Sequence, residues 1–167
     1  AWEYYPDNAH YFLDALYEKL SSSEFVRTTT FAETRDAVRR DKLTHLVAGS
    51  WGYGSFSTWV GSPDKNKAWD MLVEAKQAYD QVMAGKKLTV KQRKIATDIL
   101  TVCEGSDWFW WFGDYNPTGS VSDFDHLFRS QLKSLYQALK LSTPAVLDTP
   151  ISKGGGSMEN AGTMRRN

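Results

Sequence analysis

The chain has one cysteine in 167 residues. Cys103 alone excludes an internal disulfide framework and a cysteine-rich zinc site. The three histidines, His10, His45 and His126, fall on different predicted elements with no metal-ligand spacing, so no metal is expected. No charge of either sign is in excess, because Lys+Arg and Asp+Glu both number 20. A polyanion binder normally carries a basic excess, so nucleic acid is not an expected partner. No apolar run is long enough to cross a bilayer, so neither is a membrane. No secretory signal is visible at the N-terminus. Phosphate and nucleophile motifs are missing too. The run "GSWGYGS" lacks the lysine of a P-loop, the spacing of a dinucleotide motif and the form of a nucleophile elbow.

What the chain does have is tryptophan, seven of them within 14% aromatic residues. The length suits one domain, or most of one, able to bury a real core. Helical periodicity dominates. Residues Ala9, Phe12, Leu13, Leu16, Tyr17 and Leu20 form an amphipathic stripe behind Pro6 and Asp7. "EFVRTTTF" reads as a short strand, and "LTHLVAG" as a second short, buried extended piece. Thr30 with Glu33 is a capping-box pattern for a short helix from Phe31 to Arg39 or Arg40. Ser62 and Pro63 open a long helix with Trp69, Leu72, Val73, Tyr79, Val82 and Met83 on one face, ended by Gly85. Thr89 and Gln92 cap the next, and Ser120 or Ser122 caps a fourth. From Pro144 the composition turns to Pro, Gly, Ser and Asn, the mark of a linker or tail. The expected class is mainly α, a helical bundle with one or two short strands. A strand between two helices suggests the end of an α/β unit, and the chain reads like the C-terminal part of something larger.

Two segments carry chemistry. "EGSDWFWWFGDYN" places Trp108, Trp110 and Trp111 beside Glu104, Asp107 and Asp114. The loop "GSWGYGSFSTWVGSPDKN" carries Trp51, Tyr53, Phe56 and Trp59, too many rings for a flexible linker. Sugar rings present apolar faces that stack on Trp and Tyr, while carboxylates accept from hydroxyls. Hydrolysis of a glycosidic bond needs two carboxylates across the bond. Glu104 and Asp107 are three apart on a helix, closer to a binding patch than to a flanking pair. Neighbouring rings on a helix point in different directions, so at least one of Trp108, Trp110 and Trp111 is expected in the core. Trp69, on an apolar stripe, is expected there as well.

Together "GSWGYGSFSTWVGSPDKNKAWDML", "EGSDWFWWFGD" and "FDHLFRSQLKSLYQAL" resemble glycoside hydrolase family 57, α-glucan enzymes that include amylopullulanases, α-amylases, glucanotransferases and branching enzymes. The resemblance covers Ala1 to about Ile151, and the long "SDWFWWFGD" form is similar to the amylopullulanase-like branch. It implies a retaining enzyme with a (β/α)7 barrel followed by a helical bundle that closes one side of the α-glucan site. Residues 1–42 would be the last barrel-associated helix and strand, 43–143 the bundle with its cleft loop, and 144–167 the exit toward a further domain. The catalytic Glu and Asp would lie upstream, leaving no catalytic residue here and a fragment inactive alone. Asp107 and Trp108 match the family's fifth motif as substrate contacts, with Glu104 in support. Trp51 and its loop would shape the same cleft, and Trp110 joins the substrate-binding set. The implied partners are an α-glucan or maltooligosaccharide and the N-terminal barrel of the same polypeptide, with no cofactor. Location stays open, with the cytoplasm favoured. One departure stands out: the family often has Asp before the Phe of the "FSTW" run, and here that residue is Ser55. The competing reading is a non-catalytic carbohydrate-binding or structural helical module.

Overall fold

A computed structural model describes residues 2–35, 37–85 and 87–157, with Glu3 described in its backbone alone. The chain divides into two compact units, Ala1–Leu46 and Val47–Asn167.

The first unit opens with short 3-10 turns at Trp2–Tyr4 and Pro6–Ala9. Asp7, Asn8 and Ala9 all have positive φ, so the backbone is left-handed here before α1, His10–Ser22. The apolar stripe of α1 forms, yet no residue of that helix is buried. Thr30 caps α2, Phe31–Thr34, through the full capping box with Glu33. The Glu33 carboxylate accepts from Thr29 Oγ1 at 2.7 Å and from the Thr30 N–H at 3.0 Å, and these bonds hold it below its ordinary pKa. The helix stops at Thr34, well short of Arg39. The Thr34 hydroxyl turns back on the carbonyls of Thr30 and Phe31, and the Ala37 and Val38 N–H groups return to Thr34 as turns.

The expected strands do not form. Both "FVRTTT" and "LTHLVAG" lack a ladder partner, and among the described residues the one β contact is an isolated bridge between Pro117 and Gly156. A β-branched run adopts an extended backbone without becoming a strand unless a second strand meets it.

The second unit is a helical bundle. Pro63 presets the first turn of α3, Pro63–Ala84, and Asp64 sits at the positive end of its dipole. The Ser62 hydroxyl makes no capping bond; Asn66 Oδ1 instead accepts from the Gly61 N–H at 2.9 Å. Thr89 and Gln92 form the expected capping box of α4, Val90–Cys103. A five-residue helix α5, Asp107–Trp111, follows, then α6, Thr118–Ala138. The cap of α6 falls at Pro117, a few residues before the expected serines. Helix α6 packs on α3, α4 and α5. Phe128 is fully buried at their junction, with its ring centroid 5.8 Å from Phe109, 5.7 Å from Phe112 and 5.7 Å from Trp108. Ala68, Leu72, Ala96, Leu100, Leu132 and Leu135 fill the remaining core.

The expected linker from Pro144 onward is, through Ser157, a packed strap. A 3-10 turn at Ala145–Asp148 buries Leu147, and Ile151 and Ser152 are buried beyond it. The strap is laced to the bundle by polar contacts. Buried Asp125 accepts from the Ile151 N–H at 2.7 Å with Oδ1 and from Arg129 at 2.6 and 2.9 Å with Oδ2. Arg129 also donates to the Leu147 carbonyl, and Ser152 Oγ donates to Asp64 at 2.7 Å. The glycines that read as flexible are here for close approach. A Cβ on Gly154, where φ is +68°, would stand 2.9 Å from the Asn116 carbonyl oxygen and Thr118 Cα, and one on Gly156 only 1.7 Å from the Tyr115 carbonyl. Residues 158–167 of that expected tail lie outside the described residues.

No described helix is long and apolar enough to cross a membrane.

Candidate functional site

The loop before α3 is tightly folded rather than flexible. The Ser50 hydroxyl bonds the Ser55 carbonyl and accepts from the Gly52 N–H at 3.1 Å. Tyr53 and Gly54 are both left-handed, and a Cβ on Gly49 would meet the Gly54 carbonyl at 2.5 Å. Ser55 shares a hydrogen bond with Ser57 at 3.1 Å, so this loop is ordered without an acid. A turn from Phe56 to Trp59 and Val60 then turns the Trp59 ring toward α5.

Three rings meet there. Trp51 stacks on Trp110 with centroids 5.7 Å apart and planes at 19°. Trp59 meets Trp51 at 6.0 Å and Trp110 at 5.6 Å. Trp51 is 77% exposed, an unusual state for the largest apolar side chain. The cluster borders an open cleft of about 310 Å³ lined by Ser50, Trp51, Phe56, Trp59, Trp69 and Ser106. Trp69 was expected in the core. It is half-buried: one face lies flat on Phe109, with centroids 3.8 Å apart, its Nε1 donates to the Trp59 carbonyl at 3.0 Å, and its remaining surface floors the cleft.

The expected substrate set separates. Trp51 and Trp110 belong to the ring cluster. Trp108 does not: its Nε1 donates to the Val102 carbonyl at 2.9 Å, and its ring packs on Phe124 and Phe128. Helical geometry is the reason. Trp108 and Trp111 are three apart and both turn toward Phe124, Phe109 points into the core, and Trp110 faces the loop. Asp107 is exposed at the first position of α5, next to Ser106 in the cleft wall but outside the lining itself. Glu104 caps the C-terminus of α4 and lines a neighbouring cleft of about 230 Å³ with Trp69, Leu72, Val73, Lys76 and Gln77.

Sequence reasoning overlooked one residue behind the cleft. Lys65 is fully buried, and its ammonium donates to the Thr58 carbonyl and to Tyr115 Oη, the latter at 2.5 Å. Burial pushes its pKa down to about 8. A lysine in the first turn of a helix reads as solvated, so nothing local announces this. Cys103 is also buried, and its thiol is pushed up to about 12, first by desolvation and then by the Glu104 charge. Such a thiol is inert.

A third cleft, about 510 Å³, lies between α6 and the strap. Its Asp125, Arg129 and Ser152 are already engaged in holding the strap, so it reads as structural. Among the described residues no group of three His, Cys, Asp or Glu side chains converges on a metal position. What the ring cleft can do is stack a flat apolar ligand face and hydrogen-bond its edge.

Compared with family models, curated proteins and solved structures, the chain matches none.

Proposed function

We propose that this chain is the C-terminal helical region of a retaining α-glucan hydrolase or transferase of the family 57 type, supplying one wall of the substrate cleft. The observation that carries this reading is the open cleft walled by exposed Trp51 and half-buried Trp59, backed by Trp110 and edged by serine hydroxyls. Aromatic faces with a few polar groups at their edge suit a ligand whose own faces are apolar and whose rim is hydroxylated. The motif order of "GSWGYGSFSTW" and "EGSDWFWWFGD" supports the choice of α-glucan. In this reading the nucleophile and acid/base stand on a barrel upstream in the same polypeptide, and the chain alone turns nothing over. Asp107, exposed beside the cleft, is a hydroxyl acceptor at the edge of the site.

The test is titration of the chain with maltoheptaose, followed by tryptophan fluorescence, alongside assays on starch and pullulan. Saturable binding that weakens about fivefold in Trp51→Ala, with no turnover, is expected, since stacking against a tryptophan is worth on the order of 1 kcal/mol. Turnover that survives purification and disappears in Asp107→Asn would refute the inactive half-site. Unchanged affinity in Trp51→Ala would refute the cleft.

A further inference from the structure

Two clefts meet at Trp69. The first holds Trp51, Phe56 and Trp59; the second holds Val73, Lys76, Gln77 and Glu104; Trp69 lines both. The walls are also continuous in sequence, since Ser106 of the first cleft is two residues from Glu104 of the second. Trp69, Val73 and Gln77 follow one another four apart, and Lys76 is three beyond Val73, so all four lie on one face of α3. From Trp69 to Gln77 this face runs about 12 Å.

The chemistry changes along that line. The first cleft is chiefly ring surface. Beyond Trp69, Val73 is 49% exposed and offers a small apolar step. Gln77 and Glu104 are exposed and line the same groove. Lys76 is held in place by Asp80 at 2.6 Å and lies 5.9 Å from the Tyr79 ring centroid. A glutamine amide donates and accepts, a carboxylate accepts and an ammonium donates. A sugar hydroxyl is both donor and acceptor, so this trio can bond hydroxyls in either sense.

We propose that the groove beyond Trp69 is a second subsite, in which Gln77, Lys76 and Glu104 bind the hydroxyls of a linear gluco-oligosaccharide whose first units stack at the Trp51–Trp59 cleft. The inference rests on the α-glucan reading above and adds to it a direction and a length requirement. The chain of sugars runs along α3, and short oligosaccharides leave the second groove empty.

Maltotriose and maltoheptaose, titrated into the wild-type chain and into Gln77→Ala, Lys76→Ala and Trp51→Ala, separate the two ideas. Both Gln77 and Lys76 lie on the surface of α3, where alanine favours the helix; far-ultraviolet circular dichroism checks each variant. The expected result is tighter binding of the heptaose by the wild type. Gln77→Ala and Lys76→Ala should each weaken the heptaose about fivefold, the effect of one lost hydrogen bond, and leave the triose unchanged. Trp51→Ala should weaken both sugars. If Trp51→Ala weakens both while Gln77→Ala and Lys76→Ala leave the heptaose untouched, the second subsite is wrong and the α-glucan reading stands. Equal affinity of triose and heptaose also overturns the subsite alone. If neither sugar binds the wild type, the functional reading falls, and the subsite with it.

Discussion

Replacing Lys65 with methionine is expected to remove an alkaline gain in the stability of the second unit. Lys65 is buried with a carbonyl and a phenol as partners, and burial lowers its pKa from 10.5 to about 8. In the unfolded chain the amine keeps its proton up to about 10.5. Between the two values the unfolded state binds more protons, so stability rises with pH across that window. Below pH 8 both states are protonated and the folded state carries the full desolvation penalty. Above 10.5 the penalty is gone. The interval corresponds to roughly 3 kcal/mol at 1.36 kcal/mol per pH unit, and solvent relaxation around the nearby surface loop reduces the expected rise to about 2 kcal/mol. Cys103 works in the opposite direction. Its thiol ionises near 9 when unfolded and is pushed up to about 12 when folded, so it erodes stability above pH 9. The raw profile of either protein therefore mixes two trends, and the difference between Lys65→Met and wild type isolates the lysine. Methionine keeps the aliphatic stem and removes the charge, but it leaves the Thr58 carbonyl without that donor, at about 1–3 kcal/mol. At pH 7 loss and relief nearly cancel. At pH 10.5 the variant should be about 2 kcal/mol less stable relative to wild type than it was at pH 7. Urea unfolding followed by circular dichroism at each pH gives the comparison and avoids the ionisation of tyrosine fluorescence. Parallel profiles from pH 7 to 10.5 would show that Lys65 is not desolvated.

Asp125→Asn should destabilise the second unit by about 3–5 kcal/mol, because Arg129 is left charged and nearly buried without its carboxylate; urea denaturation at pH 7 reads this directly, and a loss under 1 kcal/mol would contradict the pairing. Gly156→Ala places a Cβ where the Tyr115 carbonyl already stands, so the strap should detach beyond Ser152. Limited proteolysis should then cut residues 153–157 in the variant at protease levels that spare the wild type, and equal resistance would refute the close packing.

Legibility in the sequence followed the range of the interaction. Both capping boxes, Thr30 with Glu33 and Thr89 with Gln92, were readable because three residues contain the whole device. So was the start of α3 at Pro63. The mainly helical class followed from periodicity. The strand expected at "EFVRTTTF" and the extended piece at "LTHLVAG" find no ladder, because strand propensity describes a surface to be paired, and the partner is a non-local fact. The strap was misread for a related reason. "KGGG" has the composition of a linker, but Gly154 and Gly156 are required by backbones elsewhere in the chain, and only the assembled fold brings these together. In the site, the crowding of rings was legible and their allocation was not. Helical geometry demanded that "DWFWW" divide among several faces. Which ring went where depended on Phe124 and Phe128 of α6 taking Trp108, and on Trp51 taking Trp110.

The ring cleft is held from behind through backbone carbonyls beside its own rings. Trp69 donates to the Trp59 carbonyl, and Lys65 donates to that of Thr58, one residue earlier. On the other wall the buried Asn116 amide donates to the carbonyls of Trp110 and Trp111, at 3.2 and 2.9 Å. The Asn116 carbonyl in turn accepts from Gly155 and Gly156 of the strap at 3.0 and 2.9 Å. Each wall of the cleft is therefore fixed by a buried donor that touches backbone rather than ring, which leaves ring faces exposed. A ligand entering such a cleft meets side chains whose backbone is already ordered, so less conformational freedom is lost on binding. Asn116 thus joins the far end of the strap to the backbone of Trp110, a route by which damage to the strap would reach the cleft. If the proposed function holds, detaching the strap in Gly156→Ala should therefore weaken maltoheptaose binding even though no strap residue lines the ring cleft.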